Sequence, residues 1–176
     1  MKKVMLLTIF AALMMISSAA VAQTATGTLT VTATVNGSIQ LVFNSDAAGV
    51  ALSSGAGTNT ATLAFGNVSA FGAISAGIVR STTASNFTVS SAVDVQVAKT
   101  NSASANYTLK AQLGAADAVN TWTVGGVAVT NAAQSTLTAT GAYAANSNFP
   151  VAITVPFTTA SGTLISNTIN YTATAN

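Results

Sequence analysis

The sequence predicts an all-β protein, an antiparallel β-sandwich of about 8–11 short strands. Three observations carry that expectation. Apolar and polar residues alternate with period two along most of the chain after residue 22, as in strands with one buried face. Threonine occurs 28 times in 176 residues, and its branched Cβ suits a pleated surface without adding charge. Gly-, Asn- and Ser-rich turn signals separate the alternating runs, and no apolar stripe at helical spacing interrupts them.

The first twenty-two residues read as an address. Met1-Lys2-Lys3 is a short positive start, Val4–Ile16 is almost wholly apolar, and a run of mostly small residues ends in Ala20-Val21-Ala22. That is the three-part form of a secretory signal peptide, cleaved before Gln23. An apolar run of about thirteen residues is too short to span a bilayer comfortably. No later run is longer, so no integral membrane segment is expected in the mature chain. The short Lys-led form is of the bacterial kind and places the product at the cell surface or outside the cell, with the periplasm in transit. Residues 23–176 then form one domain, able to bury roughly 70% of its unfolded surface without disulfides.

The most regular alternation follows the cleavage site. Thr24, Thr26, Thr28, Thr30, Thr32 and Thr34 share one face; Leu29, Val31, Ala33 and Val35 share the other. Asn36-Gly37 predicts a tight hairpin turn, leading to a strand with Ile39, Leu41 and Phe43 inward. Residues 44–60 read as a long loop, or a loop with a short strand around Val50 and Leu52. Ala64-Phe65-Gly66 and Ala70-Phe71-Gly72 echo each other over too short a period for a solenoid.

Phe87 and Val89 begin the next strand. Val93, Val95 and Val97 then alternate with polar residues, as do Tyr107, Leu109, Ala111 and Leu113. A hairpin centred near Ala103 would set Val97 against Leu109 and Val93 against Leu113, with Gln96 opposite Lys110 and Asp94 diagonal to it. Trp122–Val129 is a second hairpin, turning on Gly125-Gly126. Ser135–Thr140, Pro150–Phe157 and Gly162–Ala175 complete the set. Pro150 and Pro156 either place their strand at an edge or mark its two ends.

The chemistry available is narrow. The chain has no His, Cys or Glu, and its charged residues are Lys2, Lys3, Arg80, Lys99, Lys110, Asp46, Asp94 and Asp117. His- and Cys-based metal sites, disulfides and Ser-His-Asp or Cys-His catalysis are excluded. No catalytic set, metal or cofactor is expected, and an enzyme is not expected. Loss of Lys2 and Lys3 leaves the mature chain formally neutral, which removes any electrostatic basis for a nucleic-acid or anionic-membrane partner. Each Asp reads as a turn or solvated-strand residue. Trp122 reads as core, or as a platform for a sugar ring. The Thr24–Thr34 ladder resembles the T-x-T arrays of ice-binding proteins, or is a plain polar strand face.

Six mature charges are few for guarding the edges of so many strands. An alternating, uncharged N-terminal segment can complete the sheet of a neighbouring subunit by donor-strand complementation. In layout the chain resembles chaperone–usher pilins, notably the archaic, spore-coat-U-like branch. Gly27–Val35 matches the donor segment, Leu63-Ala64-Phe65-Gly66 an early Leu-x-Phe-Gly element, and Thr163–Ala175 the final strand. Two departures stand out: the usual cysteine pair is absent, and Tyr171 lies five residues from the end instead of next to last. The resemblance implies that the antiparallel β-sandwich is Ig-like, and that the protein is a structural subunit of a pilus- or fimbria-like adhesive fibre, exported with a periplasmic chaperone and an outer-membrane usher. It implies self-assembly through residues 24–35, with Leu29, Val31, Ala33 and Val35 as the subunit contact. The alternative is a self-contained secreted sandwich, a surface, matrix or carbohydrate-binding module, in which Gly27–Val35 is simply the first strand.

Overall fold

The computed structural model describes residues 26–176; the expected leader and the start of the alternating segment lie outside them. The folded body, Val35–Asn176, is all-β, and no helix occurs among the described residues. Its strands are β1 (Ser38–Ser45), β2 (Val79–Thr82), β3 (Asn86–Ser91), β4 (Val93–Thr100), β5 (Tyr107–Leu113), β6 (Thr121–Val124), β7 (Val127–Val129), β8 (Ser135–Gly141), β9 (Asn146–Asn148), β10 (Val151–Pro156) and β11 (Ile169–Ala175). All pairings are antiparallel, in three sheets ordered β1-β4-β9, β2-β3-β10-β6-β7 and β11-β5-β8.

The first two sheets are one bent layer. β3 and β4 form a single strand path interrupted at Ala92, and β9 and β10 form another interrupted at Phe149-Pro150. One register runs through both halves: Ser91 faces Val151 and Asp94 faces Asn148. Between them Phe149 N donates to Val93 O at 2.8 Å, so the ladder survives the bend. The third sheet packs against this layer. Val95 and Val97 of β4 meet Tyr107 and Leu109 of β5 in one fully buried cluster, and Val89, Val124 and Ile153 join Ala111 and Leu113 in another. This is a β-sandwich built by period-two alternation: β4 and β5 bury every other residue and turn Asp94, Gln96, Lys110 and Gln112 outward.

Several expectations need correction. β4 and β5 do not pair with each other. Both edges of β4 are taken by β1 and β9, and both edges of β5 by β11 and β8. Residues 101–106 therefore cross from one layer to the other, and Val97 meets Leu109 face to face in the core instead of side by side. Alternation assigns a residue to a face and is silent on which strand lies beside it. Lys110 accordingly sits opposite Thr172 and Thr136, and Asp94 opposite Asn44 and Asn148.

Asn36-Gly37 does not form the expected hairpin turn, since neither residue has the positive φ that such a turn needs. Gly37 is required for a different reason: a Cβ there would lie 2.7 Å from the Asn101 carbonyl oxygen. The proline-bounded strand is central, between β3 and β6, so the prolines mark its ends and not an edge. The expected loop over residues 44–60 begins two residues later, because β1 takes in Asn44 and Ser45, and it is tied down by bridges at Phe43–Thr58 and Ser53–Thr62. Two short strands, β2 and β9, carried no sequence signal. The second hairpin forms as expected, with Trp122 opposite Val129 and positive φ at Gly125 (57°) and Gly126 (79°).

Tyr107 packs its ring against the last residue of β8, Gly141. Its ring occupies the space where a Cβ of Gly141 would stand, and its hydroxyl is buried without a hydrogen-bond partner. Gly141→Ala is expected to destabilise the domain by about 1–3 kcal/mol through overpacking, read as a lower urea midpoint. Leu109→Ala, at a fully buried position, should cost about 2–5 kcal/mol. Tyr107→Phe should leave the midpoint unchanged or raise it, because it removes an unsatisfied buried hydroxyl.

Candidate functional site

Residues 26–37 belong to no strand, although they hold the most regular strand-like alternation in the sequence. Both faces of the segment are open to solvent. Leu29 is 88% exposed, Val31 80% and Val35 73%, and Ala33 is exposed as well. The expected contact residues are thus all exposed, and in sequence they alternate with Thr28, Thr30, Thr32 and Thr34.

Within the body, two strand edges meet at one side of the sandwich. Phe43 N donates to Thr58 O (2.8 Å) and Gly57 N donates to Phe43 O (2.6 Å). The Phe43 backbone groups therefore point away from β4 and are taken by residues 57–58; by alternation those of Ile39 and Leu41 point the same way. On β11, Gly114 N donates to Thr168 O (2.7 Å) and Asn176 N to Asn106 O (3.1 Å). The same alternation turns the backbone groups of Ile169, Tyr171 and Ala173 away from β5, toward the outer edge.

The side chains along this seam are incompletely covered. Ile39, Leu41 and Phe43 on β1, and Ile169, Tyr171 and Ala173 on β11, face the core and keep part of their surface exposed. Phe43 packs edge-on against Tyr171, with ring centroids 5.1 Å apart and planes at 71°. Burial pushes the Tyr171 hydroxyl above the ordinary phenol pKa of 10.0. The opposite side of the sandwich is laced shut. There Leu113 N donates to Thr130 O (3.0 Å), Gln112 Nε2 to Asn131 O (2.9 Å) and Ser135 Oγ to Ala128 O (2.7 Å).

The carboxylates do structural work. Asp46 and Asp94, far apart in sequence, share the Asn148 side-chain amide, at 2.8 Å and 3.2 Å. Asp117 organises the loop before β6: its Oδ1 accepts from Val119 N (3.0 Å) and Asn120 N (2.8 Å), its Oδ2 from Asn120 Nδ2 (3.0 Å) and Trp122 Nε1 (2.8 Å). Trp122 is 6% exposed and belongs to the core. Among the described residues no three carboxylates come together as a metal site. Arg80 clamps its own neighbourhood, donating to Ser69 O (2.9 Å) and Gly72 O (2.8 Å), and Lys99 bonds Ser104 O while lying 4.9 Å over the Tyr143 ring. No family model, curated protein or solved structure matches the chain.

The open seam is the feature that sequence reasoning missed. The alternation of β1 and β11 was visible, but which edges go unpaired is decided by topology. The asparagine that joins Asp46 to Asp94 was equally hidden, because their meeting depends on the β4–β9 register. Asp117 lies in the loop before β6, and the four donors that converge on it have no local sequence signal.

Burial by itself would raise the Asp117 pKa; hydrogen bonds from Asn120, Trp122 and Val119 outweigh it and lower the value from 3.8 to about 2. A carboxylate with a depressed folded-state pKa adds stability above its unfolded pKa, and that stability is lost as pH falls through the folded value. The unfolding midpoint is therefore expected to be flat from about pH 5 to 9 and to drop between pH 3.8 and about 2. Asp117→Ala should cost about 1–3 kcal/mol at neutral pH by stranding those donors and should flatten part of the acid limb, both read from thermal melts across pH.

Proposed function

We propose that the protein is a structural subunit of a bacterial surface fibre, assembled by β-strand exchange. Residues 24–35 of one copy add to the open seam between β1 and β11 of the next. The observation that carries this reading is the seam itself: two edges, with outward backbone groups at Ile39 and Leu41 on one and Ile169, Tyr171 and Ala173 on the other, and incompletely covered apolar side chains, on a domain whose opposite side is closed. The exposed segment offers what the seam lacks. Its backbone supplies a ladder of donors and acceptors, and Leu29, Val31, Ala33 and Val35 supply an apolar face of matching period.

The energetics favour such an exchange. Fully burying a Val or Leu side chain contributes roughly 1.5–3 kcal/mol, and the segment exposes two valines and a leucine. The threonine face would stay in water. Charge offers no resistance: between residues 23 and 176 the chain carries Arg80, Lys99 and Lys110 against Asp46, Asp94 and Asp117, so copies do not repel one another. The leader directs the chain out of the cytoplasm, and a periplasmic chaperone and outer-membrane usher would hold the seam until the next copy arrives.

Deletion of residues 24–35 from the secreted protein is expected to leave a folded domain that forms no fibres by negative-stain microscopy. A synthetic peptide of those residues should then raise its melting temperature in a concentration-dependent way, as a ligand of the native state does. Val31→Asp in the full chain should abolish fibres while leaving the body folded. Fibres that persist without the segment would overturn the proposal. A monodisperse full-length monomer at high concentration would favour the self-contained module instead.

A further inference from the structure

We propose that Asn36-Gly37 is a self-modification site, at which the folded protein deamidates without an enzyme. It is the one Asn-Gly pair in the sequence. Asn36 is exposed and outside any strand, and among the described residues its side-chain amide has no hydrogen-bond partner. Several other asparagines are held. Asn148 Nδ2 donates to Asp46 at 2.8 Å, Asn120 Nδ2 to Asp117 at 3.0 Å, and Asn167 Nδ2 to Ala115 O at 3.0 Å. Those bonds restrain the side-chain amides.

The glycine completes the arrangement. Position 37 must be glycine because the Asn101 carbonyl occupies the space of a Cβ, and glycine brings no side chain of its own between its nitrogen and the Asn36 side chain. The Gly37 amide nitrogen attacks Asn36 Cγ, forming the N–Cγ bond of a five-membered succinimide. Its proton and the side-chain nitrogen leave as ammonia. One water then opens the ring at either carbonyl, giving aspartate or isoaspartate. The first adds a negative charge to a chain with three charges of each sign beyond residue 22. The second also inserts a methylene into the backbone just ahead of β1.

The chemistry needs only the folded mature protein, so it stands apart from the assembly proposal. Mature protein is incubated at mildly alkaline pH and mapped by peptide mass spectrometry with isoaspartate detection. Asn36 is expected to convert roughly tenfold faster than any other asparagine, because no other is followed by a residue without a Cβ, and Asn36→Gln should abolish that conversion. Persistence of Asn36 while another asparagine converts first would overturn the proposal. Conversion seen only in denaturant would overturn it equally, since the site would then belong to the unfolded chain.

Discussion

The antiparallel ladder between Asn86–Thr100 and Asn146–Pro156 is the spine on which the remaining strands hang. It keeps one register through a bend in both partners, with Phe149 N bonded to Val93 O across the gap. The bend falls where Pro150 has no N–H to lose, so little ladder bonding is sacrificed. Phe149 packs against both core clusters, which ties the two halves of the layer together. A chain with no cysteine or histidine has no disulfide or His-based metal staple. Its stability rests on this ladder and on close packing of Val, Leu, Ile and aromatic side chains.

The same dependence makes the edges consequential. On one side Thr130, Asn131 and Ala128 offer carbonyls that lace β5 and β8 to the far layer. On the other, β1 and β11 meet through the Phe43–Tyr171 contact and leave backbone groups facing outward. Edges are usually blunted by charge or proline, yet the cations here serve elsewhere: Arg80 clamps a loop and Lys99 caps a crossing. Strand exchange, as proposed, would convert that liability into the bond between copies.

Much of the fold was legible because strand periodicity depends on which face is buried. The inward residues of β4, β5 and β10 are the alternate ones, and Gly125-Gly126 announced its hairpin. Partners were less legible. Val97 and Leu109 look like neighbours in a hairpin by period alone, yet they face each other across the core, because nothing local distinguishes a six-residue turn from a six-residue crossing. The strand between Pro150 and Pro156 was open to two readings, and only the flanking strands β3 and β6 separate them. Leu29, Val31, Ala33 and Val35 were visible as a pattern; the seam was not.

By itself the sequence determined the class of fold, the alternation of its strands and the poverty of its chemistry, because these follow from side-chain type and period. Absence of His, Cys and Glu needs no structure to read. Tertiary structure alone decided which strands are central, how one ladder bends between two sheets, and where edges go unpaired. It also decided that Asp46 and Asp94 share an asparagine and that Asp117 anchors a loop. Those outcomes depend on long-range register, and register is set by how all the faces close over one core at once.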